Sequence, residues 1–165
     1  MEQSDQKKKA EAARLRIQAA VGQVVLALSS TPRYRQLPFG DLQALVLDPL
    51  LRDRVALASA CAEDGTPIAG GIAGIAFWAS VSEEVDAKIR EQIAAGGFPI
   101  RLRSEDWASG ELIWLFDIIA STPKAASAVL VNFKQIAKDG DIRLHPMVTR
   151  QVDPELLKQM NVAKL

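Results

Sequence analysis

Along the first thirty residues the apolar positions fall on one stripe. Val21, Val24, Val25 and Leu28 stand at i, i+3, i+4 and i+7, the spacing of a helix with one buried side. This predicts a helix over about residues 10–30, ended by Thr31-Pro32 because the residue before a proline is pushed out of the α region. Leu42, Leu45 and Val46 predict a second helix over about residues 41–51, with Pro49 near its end. Residues 54–62 read as a strand, Asp64-Gly65 as the hairpin signal and residues 68–79 as the partner strand. Gly70, Gly71 and Gly74 in that partner predict a bulge or the close approach of another backbone.

Ser82 is a good N-cap, with Glu83 and Glu84 in the first turn, Val85, Ile89 and Ile93 as a buried stripe, and Gly96-Gly97 as a stop. "ELIWLFDIIA", residues 111–120, is the strongest strand, apolar on both faces and therefore central. Strict alternation would place Asp117 with Ile113, Leu115 and Ile119, and Leu112, Trp114, Phe116 and Ile118 opposite. Thr122-Pro123 has the N-cap and N1 chemistry of a new helix, carried by Val129, Leu130, Phe133 and Ile136 to Gly140. "DIRLHPMVTRQV" predicts a last strand, and Asp153-Pro154 caps a short final helix. The order implies an α+β fold, a mainly antiparallel sheet with flanking helices. Residues 1–12 read as a frayed or disordered start, and residues 13–165 as one domain, a length that suits one core.

Composition narrows the chemistry. Apolar content of 48%, charged content of 24% and zero formal net charge describe an ordinary globular protein and give no reason to expect nucleic acid. The single cysteine, Cys61, cannot form an internal disulfide or a two-cysteine metal clip, which suits a reducing cytoplasm. One histidine, His145, cannot supply a multi-histidine metal site, so no metal site is expected. The uncharged run "PIAGGIAGIAFWASV" falls short of the ~20 residues that span a bilayer and reads as a buried strand. No phosphate-binding glycine loop stands in a strand–turn–helix setting.

Asp117 stands out, because its neighbours are Trp114, Leu115, Phe116, Ile118 and Ile119. A buried carboxylate is paired, hydrogen-bonded or neutralised, and such acids are active-site candidates as well as structural anchors. His145, beside Pro146, has nothing near it to form a triad and reads as structural. Cys61 reads as a small buried hydrophobe.

"SEDWASGELIWLFDIIAS" resembles the signature of the RTX-toxin-activating lysine acyltransferases, the hemolysin-activation protein C family. The matching residues are Glu105, Asp106, Trp107, Ser109 and Gly110, then Asp117, Ile119 and Ala120. The family's Ser-Ser-Pro-x-His-Arg run, after an apolar helix, is matched by Ser30-Thr31-Pro32-Arg33-Tyr34-Arg35. The similarity runs from about residue 21 to 160. It implies a fold like the GCN5-type N-acetyltransferases, and transfer of a fatty acyl group from acyl carrier protein to lysines of a protoxin. The resemblance also implies a cytoplasmic location, a homodimer as one working form, and no bound cofactor, acyl-loaded carrier protein being the co-substrate.

Carried over residue by residue, the family's catalytic aspartate falls on Asp117 and its catalytic histidine on Tyr34. A family asparagine falls near Leu45 and Val46, both apolar here. A phenol titrates near ~10 rather than ~6.5, so Tyr34 is expected to donate to an oxyanion rather than act as a base. Thr31, Arg33, Arg35 and Trp107 are expected to bind substrate, the arginines facing an acidic carrier. Gly74 is expected to open an apolar groove for the acyl chain beside Asp117. The alternative is a degenerate member that only binds an acyl chain, acyl carrier protein or a toxin-like partner.

Overall fold

The computed structural model describes residues 2–137, 141–160 and 162–163. Helix α1 (Glu2–Ser30) begins well before residue 10, and residues 4–16 are exposed on every side. It ends as predicted: Thr31 is extended, its hydroxyl donates to the Ala27 carbonyl at 2.8 Å, and Pro32–Tyr34 forms a tight 3₁₀ turn. The expected second helix is broken into a 3₁₀ turn (Phe39–Asp41), a wide π turn (Gln43–Leu47) and α2 (Asp48–Leu50). Pro49 explains the break. It has no N–H to give and its ring crowds the carbonyl of Leu45, so the backbone before it widens.

Strands β1 (Val55–Cys61) and β2 (Pro67–Val81) form the predicted antiparallel hairpin. Gly65 turns the chain at φ +83, and the Thr66 N–H donates to Asp64 Oδ1 at 2.8 Å. Pairing slips from Ala58↔Gly74 to Ser59↔Ile72 to Cys61↔Pro67, the irregularity that the glycine-rich stretch predicted. Strand β3 (Leu112–Ala120) pairs antiparallel with β2, and β4 (Ile142–Leu144) and β5 (Val162–Ala163) follow in parallel. The order is β1-β2-β3-β4-β5, with β3 at the centre.

Helices cover both faces of this sheet. On one side α1, α3 (Glu83–Ala94) and the 3₁₀ turn bury Val24, Leu28, Tyr34, Val85 and Ile89 against Ile75, Phe77, Trp114 and Phe116. On the other, α4 (Pro123–Ile136) and α5 (Pro146–Thr149) bury Val129, Leu130, Phe133 and Val148 against Ala76, Leu115 and Ile118. A short α6 (Pro154–Gln159) closes the described chain before β5. The protein is thus α+β, with a mostly antiparallel open sheet consistent with the GCN5-related N-acetyltransferase fold. One polar network ties α3 to the sheet: Asp86 accepts from Trp114 Nε1 at 2.7 Å and pairs with Arg90 at 3.0 Å and Arg143 at 2.6 Å.

The predicted final strand needs correction. Only Ile142–Leu144 is strand, and His145-Pro146 then starts α5. His145 Nδ1 accepts from the Met147 N–H at 3.0 Å, with Pro146 at N1. This repeats the chemistry of Thr122-Pro123 and Asp153-Pro154, a cap acceptor followed by a proline that has no N–H to leave unpaired.

Candidate active site

The site depends on one extra residue in β3. Between Phe77↔Asp117 and Trp78↔Leu115 the pairing skips Phe116, so two residues of β3 oppose one of β2. Before the bulge Leu112, Trp114 and Phe116 face α1 and α3; beyond it Ile119 faces them, while Ile118 and Ala120 face α4. Strict alternation would have sent Asp117 to the α4 side with Ile113 and Leu115. The bulge brings it to the α1 side instead, beside Phe116 and below Tyr34.

Asp117 is 1% exposed, and both of its oxygens are engaged. Oδ2 receives the Tyr34 hydroxyl at 2.7 Å and Arg33 through Nε at 2.9 Å and Nη2 at 2.7 Å. Oδ1 receives the Ile118 N–H at 2.9 Å and Gln151 Nε2 at 2.8 Å. Arg33 also donates to the Ile118 carbonyl at 3.1 Å and lies over the Tyr34 ring. A carboxylate has about four lone-pair positions, and these donors fill them. As arranged, Asp117 orients and holds positive charge; it has no free lone pair to take a proton from a substrate.

Tyr34 is buried, and its phenol is pushed far above its ordinary range. Burial is the main cause, followed by the charge of Asp117 and the hydrogen bond to it, with Arg33 opposing. Its proton points at Asp117, so the expected donation to an oxyanion is not made in this arrangement. Below the ring, Leu28, Leu37, Leu45, Phe77, Phe98, Ile100, Trp107 and Phe116 line an apolar cavity of about 30 Å³, room for about one water molecule and no acyl chain.

The other expected residues divide. Arg33 reaches inward to Asp117 rather than outward to a carrier, whereas Arg35 is exposed. Thr31 finishes α1 and makes no contact with the carboxylate. Trp107 is buried in the cavity wall, with no partner for its indole N–H among the described residues. Gly74 belongs to the opposite face: a Cβ there would run into Val129 of α4 and approach the Ile119 carbonyl. Its smallness lets α4 pack against the sheet, so it opens no groove beside Asp117. Among the described residues no cluster of three or more metal-ligating side chains occurs, and no helix is long and apolar enough to cross a membrane.

Gln151 was not legible as a site residue, because its segment read as strand. The signal that finds it is His145-Pro146, which starts a helix and so brings Gln151 back towards β3. His145 itself is buried, and its ring is held below the ordinary imidazole range by burial, with Asp117 opposing and Arg150 reinforcing the shift.

Residues 13–153 of the 165 match the model of the HlyC family, described as the RTX toxin acyltransferase family. The chain belongs to that family. No curated protein matches it. The match spans Arg33, Tyr34, Asp117 and Gln151 alike, so the RTX toxin acyltransferase region includes the whole carboxylate cluster and the Thr122-Pro123 and His145-Pro146 helix starts. Membership assigns acyltransferase chemistry and toxin activation at the level of the family.

Proposed function

We propose that this protein moves a fatty acyl group from acyl carrier protein to a lysine of a protoxin-like protein in the cytoplasm, with Asp117 as the group that receives the acceptor amine. The observation that carries the reading is the buried Asp117 carboxylate already holding a cation, Arg33, over the face of Tyr34. An acceptor ammonium has the same charge and would take the Arg33 position at Oδ2. The ammonium first loses one proton to solvent, and the free amine nitrogen then bonds to the thioester carbonyl carbon as the C–S bond breaks. The carrier's sulfur leaves as a thiol with a second proton from the same nitrogen. Asp117 works here by position and charge, and Tyr34 by fixing the carboxylate. Acyl carrier protein loaded with a fatty acid, a lysine-bearing protoxin fragment and mass spectrometry form the test. Transfer should fall to background in Asp117→Asn; no transfer by the wild type above that variant overturns the reading.

A second reading has its own observation. Tyr34 keeps its proton where the family resemblance places a histidine, and no other side chain at Asp117 is free to accept one. A binding module that holds an acyl chain, acyl carrier protein or a toxin-like partner fits that arrangement. Tyr34→His separates the two: activity gained from nothing supports the binding module, and loss of an existing activity supports the enzyme.

A further inference from the structure

Three hydrogen bonds, joined through the Met147 backbone and the Gln151 amide, lead from the only histidine to the carboxylate. His145 Nδ1 accepts from the Met147 N–H at 3.0 Å. The Met147 carbonyl accepts from Gln151 Nε2 at 2.9 Å, and the same nitrogen donates to Asp117 Oδ1 at 2.8 Å. The His145 N–H itself donates to the Leu115 carbonyl at 2.9 Å, two residues before Asp117 on β3. Both ends of this chain are thereby tied to the same strand.

We propose that His145 is a positioning residue of the Asp117 carboxylate, acting through the first turn of α5 and the side-chain amide of Gln151. The inference rests on Asp117 being the group that receives the acceptor amine. His145 is not a relocated general base. Its Nδ1 is occupied by the Met147 N–H, so the neutral ring carries its proton on Nε2, and that buried atom has no partner among the described residues. A second proton would have to enter at Nδ1, and it would turn the cap acceptor into a donor. The Met147 N–H would lose its partner, the turn would loosen, and Gln151 would lose the carbonyl that aims it at Oδ1. The charged groups facing the ring are Asp117 on β3 and Arg150 just after α5; Arg33 and Tyr34 lie beyond Asp117, with Phe98 packed against both His145 and Tyr34. The low affinity of the ring for a proton keeps the cap intact at neutral pH.

The test uses His145→Ala, His145→Asn and Gln151→Ala in the full chain, each checked for folding by thermal melting. Asparagine supplies a cap acceptor without an imidazole. His145→Ala and Gln151→Ala should each lower kcat by roughly ten- to a hundred-fold with KM little changed, as for a misplaced reacting group. His145→Asn should recover most of the loss, and the double alanine variant should be no worse than Gln151→Ala, because the two act in one chain. The wild type should lose kcat/KM in acid as His145 protonates, and His145→Asn should lack that limb. A second readout needs no acyl substrate: in the side-chain amide NMR spectrum the Gln151 resonance should move as His145 titrates, and stay fixed in His145→Asn. If the wild type transfers no acyl group while the Gln151 resonance follows His145, the proposed reaction falls and the positioning stands. A Gln151 resonance indifferent to His145, or full kcat in a folded His145→Ala, overturns the positioning itself.

Discussion

The Tyr34 hydroxyl donates a hydrogen bond to Asp117 across 83 residues of sequence, at 2.7 Å and between two buried side chains. Because the chain has a single tyrosine, this bond can be followed spectroscopically without interference. An alkaline absorbance titration should show no phenolate near pH ~10, where a free tyrosine ionises. The linkage sign follows. Folding raises the phenol's proton affinity, so this contribution is complete below the unfolded value of about 10 and is lost as pH rises above it. Tyr34→Phe removes a hydrogen bond to a charged group and should cost about 1.5–3 kcal/mol in urea unfolding at pH 7. Phenolate appearing near pH 10 in folded protein would contradict the buried contact.

Much of this fold could be read from the sequence, and the parts that could not share a cause. The α1 stripe, the Asp64-Gly65 hairpin, the Ser82 cap and the central apolar strand are written in local pattern. The side on which Asp117 emerges is not, because it depends on pairing between β2 and β3, and a bulge has no fixed sequence signature. The π turn before Pro49 and the inward course of Arg33 also depend on distant partners. His145-Pro146 was readable in principle, but the alternating apolar residues around it imitate a strand.

Arg33 neutralises a buried carboxylate from a partly exposed position. Arg33→Ala should destabilise the protein by about 3 kcal/mol, since Asp117 would stay buried with its charge poorly compensated. Arg33→Lys should recover only part, because an ammonium cannot reproduce the guanidinium's separate contacts to Asp117 and to the Ile118 carbonyl. Equal stability of the lysine variant and the wild type in urea would show that charge alone suffices.

Asp86 gives an acid-side prediction. Burial would raise its pKa, but the hydrogen bonds from Arg90 and Trp114 and the charges of Arg143 and Arg90 outweigh that and hold it below the usual carboxylate range. Its contribution is therefore present above about pH 4 and lost as pH falls through the lower folded value. Asp86→Asn should cost about 2 kcal/mol at pH 7, the scale of a partly buried ion pair, and the difference should shrink as acid protonates the carboxylate. A gap that is unchanged by acid would mean that packing, rather than charge, sets the loss.

Two glycines should respond in opposite directions. Gly74→Val forces a side chain into Val129 and should destabilise by about 1–3 kcal/mol, as overpacking does. Gly22 lies within α1 with open space around it, so Gly22→Ala should stabilise by about 0.5–1 kcal/mol. Thermal melts of both variants decide this, and a neutral Gly74→Val would show that α4 can retreat from the sheet.

The distances along the chain between Asp117 and its partners also bear on how the protein reaches its native state. Arg33 lies 84 residues before it, Tyr34 83 before, and Gln151 34 after. Contacts of such separation carry a loop-closure cost and tend to form late. A half-folded chain that has paired β2 with β3 but not yet docked the turn after α1 therefore holds a carboxylate in an apolar setting with few donors. That penalty disfavours every compact intermediate in which the site is unfinished. The buried charge thus acts, during folding, as a check that the segments before and after β3 have both arrived.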